Sequence, residues 1–258
     1  MTRDNRPLKE TAVPETIQSL KAAMIAGQRE HWEATLHANP AMYGTVASEA
    51  GLYALERFTT EGHARITELG AGQGRDTMGF LRSGLEVHAL DYVPNALAEM
   101  IATAGPQLST GLTITVHDVR KPLPFADRSF DGWYSHMLFT MALTTIELAH
   151  LAEEIHRILQ PGGLCIYTVR HTGDPHFGEG RALGDNLYEN GGFVVHFFDH
   201  ALVDLLATGF EIEDISEFEE GGLPRKLWRI TVPQNLYKLA IVRLTFTYCF
   251  DDGSFTSC

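Results

Sequence analysis

The seven residues Glu68-Leu69-Gly70-Ala71-Gly72-Gln73-Gly74 restrict the folds open to this chain more than any other segment. They end a short apolar run over residues 66–69 that reads as a strand, and they lead into a helical pattern. Glycine at every second position lets backbone approach a bound molecule through space that a Cβ would otherwise fill. A second marker lies downstream, where Asp91 ends the next apolar run and stands 21 residues after Gly70. In a parallel α/β sheet, a carboxylate at that place can accept both hydroxyls of a nucleoside ribose, and the glycine bend faces the same ligand.

From Arg65 onward, strand and helix patterns alternate. Strands are predicted over residues 66–69, 86–90, 112–117, 130–135 and 164–169. Helices are predicted after Gly74, after Pro94 and from Thr144 and Thr145, where Thr144 and Glu147 have capping-box spacing. Asp199 is placed to cap a helix ending near Gly209, and strands over 210–218 and 227–232, joined by residues 219–226, finish the pattern as a hairpin. This order predicts an α/β fold, a Rossmann-like seven-stranded mostly parallel sheet with helices on both faces. Ahead of it, Pro14 opens a helical stretch through Leu20, Met24, Ile25 and Trp32 to about Leu36, which Asn39-Pro40 ends. Ser48 is then the N-cap of a helix carrying Leu52, Leu55 and Phe58 on one face. The expected organisation is an N-terminal arm and helical segment over 1–62, a catalytic domain over 63–232 and a tail over 233–258, in which 239–248 alternates weakly like an edge strand.

A formal charge of −13 with no run of Lys or Arg argues against a general nucleic-acid partner, because phosphate neutralisation needs a basic face. No apolar run approaches the ~20 residues of a membrane helix, and residues 1–15 lack the apolar centre of a signal peptide, so the cytoplasm is the expected compartment and no membrane partner is expected. The cysteines Cys165, Cys249 and Cys258 show no metal-like pairing, so neither a disulfide framework nor a bound metal is expected.

A nicotinamide dinucleotide uses the same architecture, but its fingerprint G-x-G-x-x-G would need a third glycine where Arg75 stands. The observed spacing is G-x-G-x-G, and the acids Glu68 and Asp91 suit a cationic, ribose-bearing ligand. Further motifs follow in order: Leu90-Asp91-Tyr92, His117-Asp118-Val119, Phe130-Asp131-Gly132-Trp133-Tyr134-Ser135 and Leu159-Gln160-Pro161-Gly162-Gly163. Over roughly residues 43–232 this series resembles the class I S-adenosylmethionine (SAM)-dependent methyltransferases. The resemblance implies SAM as cofactor, with Asp91 holding the ribose, Tyr92 lying against the adenine and Asp118 bonding its amino group. Glu68, Gly70, Ala71, Gly72 and Gly74 would surround the methionine portion, with Val119 and Ser135 beside the cofactor. It also implies that the N-terminal helices form a lid, from which Tyr43 reaches the sulfonium with its ring face or packs on the first core helix. The size and short lid are similar to those of small-molecule detoxifying methyltransferases, including metalloid and thiol methylators.

Methyl transfer is an in-line displacement at carbon, so few protein groups need act on the reacting atoms, and a base is required only for a protonated nucleophile. Groups at the carboxyl ends of strands four and five are the candidates: His136 as a base and Arg170 as a fork for an acceptor carboxylate. Tyr188 joins them from residues 171–196, a glycine-rich segment that reads as a loop able to close over a substrate. The expected partner is a small-molecule thiol, amine, hydroxyl, carboxylate or metalloid acceptor. Arsenite is disfavoured because no cysteine precedes Cys165, which sits in an apolar strand. The expected assembly is a monomer or homodimer. A binding module that senses SAM or a nucleotide without turnover is the alternative.

Overall fold

The computed structural model describes residues 17–40, 42–221 and 225–234. The expected arm over 1–13, the helix start at Pro14, part of the 219–226 hairpin turn, and the tail with its edge strand over 239–248 lie outside the described residues.

The chain begins with helices α1 (Ile17–Ala26), α2 (Gln28–Ala38) and α3 (Glu49–Thr60). The single helix expected through Trp32 is divided at Gly27, and Asn39 terminates α2. Ser48 caps α3, its hydroxyl accepting the Gly51 N–H at 2.8 Å. The buried face of α3 is Ala50, Gly51, Ala54 and Phe58, whereas Leu52 faces solvent at 53 % exposure, which corrects the expected face. Ala54 and Phe58 are one turn apart, so they rather than Leu52 share the side that meets the sheet.

The alternating part follows as β1 (Arg65–Leu69), α4 (Thr77–Arg82), β2 (Glu86–Asp91), α5 (Pro94–Leu108, kinked at Gly105), β3 (Leu112–Val116), β4 (Phe130–His136), α6 (Thr145–Ile158) and β5 (Leu159–Arg170). The Thr144 and Glu147 capping box forms. After β5 come three short strands, β6 (Arg181–Gly184), β7 (Leu187–Asn190) and β8 (Phe193–His196), then α7 (His200–Leu206), β9 (Asp214–Glu220) and β10 (Arg225–Pro233).

Seven strands form one sheet in the order β3-β2-β1-β4-β5-β10-β9, with β10 antiparallel to both of its neighbours and the other pairs parallel. The chain reverses its direction of travel across the sheet between β1 and β4, which opens a crevice at the carboxyl ends of those strands. Both faces are covered, and the period of two shows within β4: Trp133 enters the apolar cluster that holds α6 and α7, and Tyr134 enters the cluster that holds α3, α4 and α5.

Residues 171–196 are not the expected open loop, because 181–196 form a second, antiparallel sheet, β6-β7-β8. Its two turns have the backbone that two-residue hairpins require: Asp185 and Asn186 both have positive φ, as do Gly191 and Gly192. The strand expected from Phe210 begins at Asp214 instead, and the Phe210 ring stacks on His156 at 3.5 Å.

Burial holds the His156 imidazole down to about 4, and burial with the nearby Arg65 charge does the same to His88. Folded values below the unfolded 6.5 mean that both histidines favour the folded state above pH 6.5 and lose that contribution as pH falls towards 4. We expect the melting temperature of His156→Phe to fall less steeply than that of the parent between pH 6.5 and pH 4; parallel melting curves against pH would refute the buried neutral imidazole.

Candidate active site

The bend after β1 fills the crevice. The Gly70 and Ala71 N–H groups both donate to the Leu90 carbonyl, at 2.8 and 3.0 Å, which ties the bend to the end of β2. Gly70, Gly72 and Gly74 all have positive φ. A Cβ on Gly74 would lie 2.5 Å from the Met100 side chain of α5, whereas one on Gly72 would meet nothing within 4 Å. Gly74 thus serves close packing of helix on bend, and Gly72 leaves open space. Gly74→Ala combines left-handed backbone with overpacking, and we expect it to lower the unfolding free energy by about 2 kcal/mol in a denaturant titration.

Asp91 ends β2 beside this bend, buried at 9 % exposure. One carboxylate oxygen accepts the Gly72 N–H and the other the Val93 N–H, each at 2.9 Å. A carboxylate has about four acceptor directions, so Asp91 keeps capacity for a ligand hydroxyl. Burial raises the Asp91 carboxyl despite backbone bonds from Val93, Gly72 and Tyr92. Glu68 is raised well above the carboxylate range, first by burial and then by the Asp76 charge, with a bond from the Thr77 hydroxyl at 2.6 Å working against this.

These groups border a cavity of about 160 Å³ that opens to solvent, room for on the order of ten waters, so it is a ligand site rather than a packing void. Of the residues singled out in the sequence, Tyr43, Glu68, Gly70, Ala71, Gly72, Asp91, Tyr92, Asp118, Val119 and His136 line it. Asp118 is closed on Arg120 by bonds of 2.6 to 3.1 Å. Tyr43 lies beneath the Arg75 guanidinium, 5.9 Å from ring centre to cation, and Arg75 also donates to the Tyr43 carbonyl.

Four do not line it: Gly74, packed on Met100, and three that lie elsewhere. The Ser135 hydroxyl is buried against the Leu69 carbonyl at 2.9 Å and serves the β1–β4 junction. Arg170 is buried in a fork on Asp174, with bonds of 2.6 and 3.0 Å, and stands over the Phe197 ring. Tyr188 packs edge-on against Phe177 and Phe197 in the small sheet. A guanidinium with a carboxylate four residues along the chain finds that partner before any ligand.

Sequence reasoning missed the lid contacts and the long-range polar pairs. Ile25, Gln28, Trp32 and Leu36 of α1 and α2 line the cavity, as do Met137, Leu138, Met141, Ala142 and Leu143 after β4. Gln28 pins the lid to the small sheet, donating to the Gly192 carbonyl at 2.9 Å and accepting the Val194 N–H at 3.1 Å. Ile25, Ala142, Leu187 and Val194 share one apolar cluster, so the small sheet braces the lid against the segment after β4. Asp76 takes bonds from the Ser48 N–H, the Ser48 hydroxyl and the Tyr134 hydroxyl at 2.7 to 2.8 Å. Glu220 at the end of β9 bonds Arg75 at 2.8 Å and faces His136 Nε2 at 2.8 Å, off the axis of an ideal hydrogen bond. Burial alone would raise Glu220; His136 and Arg75 outweigh it and hold the carboxyl down to about 2.

The family model described as a methyltransferase domain matches residues 67–167. Curated relatives include an uncharacterized methyltransferase of Mycobacterium tuberculosis, 31 % identical over 127 residues that make up 49 % of this chain and 48 % of the relative. The chain therefore spans about half the length of the curated relatives it matches. Among solved structures, a Burkholderia thailandensis 1,6-didemethyltoxoflavin-N1-methyltransferase is similar with a TM-score of 0.63 and 22 % identity, over 87 % of this chain and 93 % of that one. A Synechocystis magnesium protoporphyrin IX methyltransferase is similar with a TM-score of 0.64 and 12 % identity, over 82 % of this chain and all of that one (100 %). The sheet order, the glycine bend with its buried carboxylate and these likenesses agree: residues 67–167 match a methyltransferase domain, and the fold is that of solved SAM-dependent methyltransferases.

Proposed function

We propose that this chain transfers a methyl group from SAM to a small-molecule acceptor enclosed beneath α1 and α2, with residues 63–232 as the catalytic domain and the N-terminal helices as its lid. The reading is carried by Glu68, Asp76 and Asp91, three buried acids in the wall of one cavity beside a glycine bend. Burial disfavours the charge on Glu68 and Asp91, and a cation bearing hydroxyl donors relieves that unfavourable state. Bound SAM supplies a methyl group activated by its sulfonium. Asp91 accepts the ribose hydroxyls on its remaining acceptor capacity, while the bend admits the methionine portion to its backbone. The lid and residues 137–143 exclude water and align the acceptor, which is most of what a displacement at carbon asks of a protein. A small acceptor also suits the cavity's size, and the similar Burkholderia enzyme was solved with 1,6-didemethyltoxoflavin and S-adenosylhomocysteine bound.

The test is incubation of the protein with SAM and thiol, amine, hydroxyl, carboxylate and metalloid acceptors, with mass spectrometry of the products. S-adenosylhomocysteine is expected to accumulate only with an accepted molecule. Tight SAM binding with no turnover across the whole panel would favour the sensor reading instead.

A further inference from the structure

A fork for an acceptor carboxylate was expected at the carboxyl end of β5, and Arg170, turned onto Asp174, does not supply it. Another guanidinium stands there. β10 runs antiparallel to β5 with Leu227 opposite Arg170, so Arg225, the first residue of β10, lies just past the end of β5. In the strand order that place is on the far side of β4 from β1 and β2, which carry the glycine bend and Asp91. A molecule lying beside the cofactor along the carboxyl edge of the sheet meets this side.

Arg225 is also opposite Glu220 in the β9–β10 pair, and directly opposed residues of an antiparallel pair present their side chains to one face. The Glu220 side chain reaches Arg75 and His136, both in the cavity wall, so Arg225 is carried on the face that overlooks the cavity. Both Glu220 oxygens are turned to those other partners. Among the described residues no carboxylate pairs with Arg225, which is partly buried. Tyr43 lines the cavity, and its phenol is near enough to Arg225 for that charge, ahead of the Arg75 charge, to oppose the rise that burial imposes on it. The Tyr43 hydroxyl makes no hydrogen bond among the described residues. Arg75, by contrast, donates to Glu220 and to the Tyr43 carbonyl.

We infer that Arg225 and the Tyr43 hydroxyl form a subsite for a carboxylate carried by the acceptor. The inference rests on the methyl-transfer reading and gives the acceptor's class: a small molecule with a nucleophile at one end and a carboxylate at the other. A guanidinium presents parallel N–H donors that a carboxylate accepts as a pair, and the phenol adds an O–H. A neutral acceptor forgoes those charge-assisted bonds. The carboxylate of SAM's own methionine portion is the competing source of the same chemistry, and the test separates the two.

Calorimetry with SAM comes first; failure to bind SAM would remove the methyl-transfer reading itself. With the SAM-binding protein, turnover of 4-mercaptobenzoate, 4-aminobenzoate and 3-mercaptopropionate is compared with that of 4-methylbenzenethiol, 4-methylaniline and 1-propanethiol, twins in which a methyl group replaces the carboxylate. The expected kcat/KM of a carboxylate member exceeds that of its twin by at least ~10-fold, Arg225→Met removes most of that advantage, and Arg225→Lys, which keeps the charge without the fork, falls between. The inference is overturned if no carboxylate member is preferred, or if Arg225→Met lowers both members of a pair equally. A loss of SAM affinity in Arg225→Met as large as the loss in kcat/KM would also overturn it, by assigning Arg225 to the cofactor's carboxylate.

Discussion

Replacing Asp91 with alanine is expected to weaken SAM binding by about 1–3 kcal/mol, roughly 5- to 150-fold in Kd, through loss of charge-assisted bonds to the ribose. Stability of the free protein should move much less, because two consequences oppose each other. The Gly72 and Val93 N–H groups lose their acceptor, which destabilises the bend. A buried carboxylate whose charged form is disfavoured also disappears, which stabilises it. SAM should therefore raise the melting temperature of the variant far less than that of the parent, although the two free proteins melt close together. Asp91→Asn, which keeps one acceptor oxygen, should fall between them. Calorimetric affinity equal to the parent's in Asp91→Ala would show that the carboxylate serves only the bend.

The sheet and the meeting of the glycine bend with Asp91 were legible because their signals are local. Gly70, Gly72 and Gly74 stand within five residues, Asp91 ends the next strand, and the alternation of elements fixes that both meet at one sheet edge. What the sequence hid was delivered from far along the chain. Glu220 reaches Arg75 across 145 positions, and Gln28 reaches Gly192 across 164, and neither has a neighbour in sequence that hints at its partner. Arg170 misled for the reverse reason: position at the end of β5 suggested an acceptor contact, yet Asp174 was near enough to take the guanidinium first. The hairpin turns at 185–186 and 191–192 were present in the residues, but seven glycines and prolines between 173 and 192 masked strands only four residues long.

Asp76 shows how far the cofactor bend depends on one such long-range group, and its removal should have the largest effect on stability. It occupies the N-cap position of α4 but makes no cap bond there. Its carboxylate instead joins the start of α3, through the Ser48 N–H and hydroxyl, to the buried Tyr134 hydroxyl of β4. The same Ser48 oxygen caps α3. Asp76→Ala strands the Ser48 N–H and leaves the Tyr134 hydroxyl only its long 3.3 Å bond with the Ser48 hydroxyl, and these losses with a loosened cap should lower the unfolding free energy by about 2–4 kcal/mol. Because part of that loss is the poorly bonded hydroxyl, adding Tyr134→Phe to Asp76→Ala should recover about 1 kcal/mol, although Tyr134→Phe alone destabilises the parent. Denaturant titrations of the four proteins in that cycle decide the matter. Additive losses would mean that Asp76 and Tyr134 act independently, and that α3, α4 and β4 are held together at the bend by apolar packing alone.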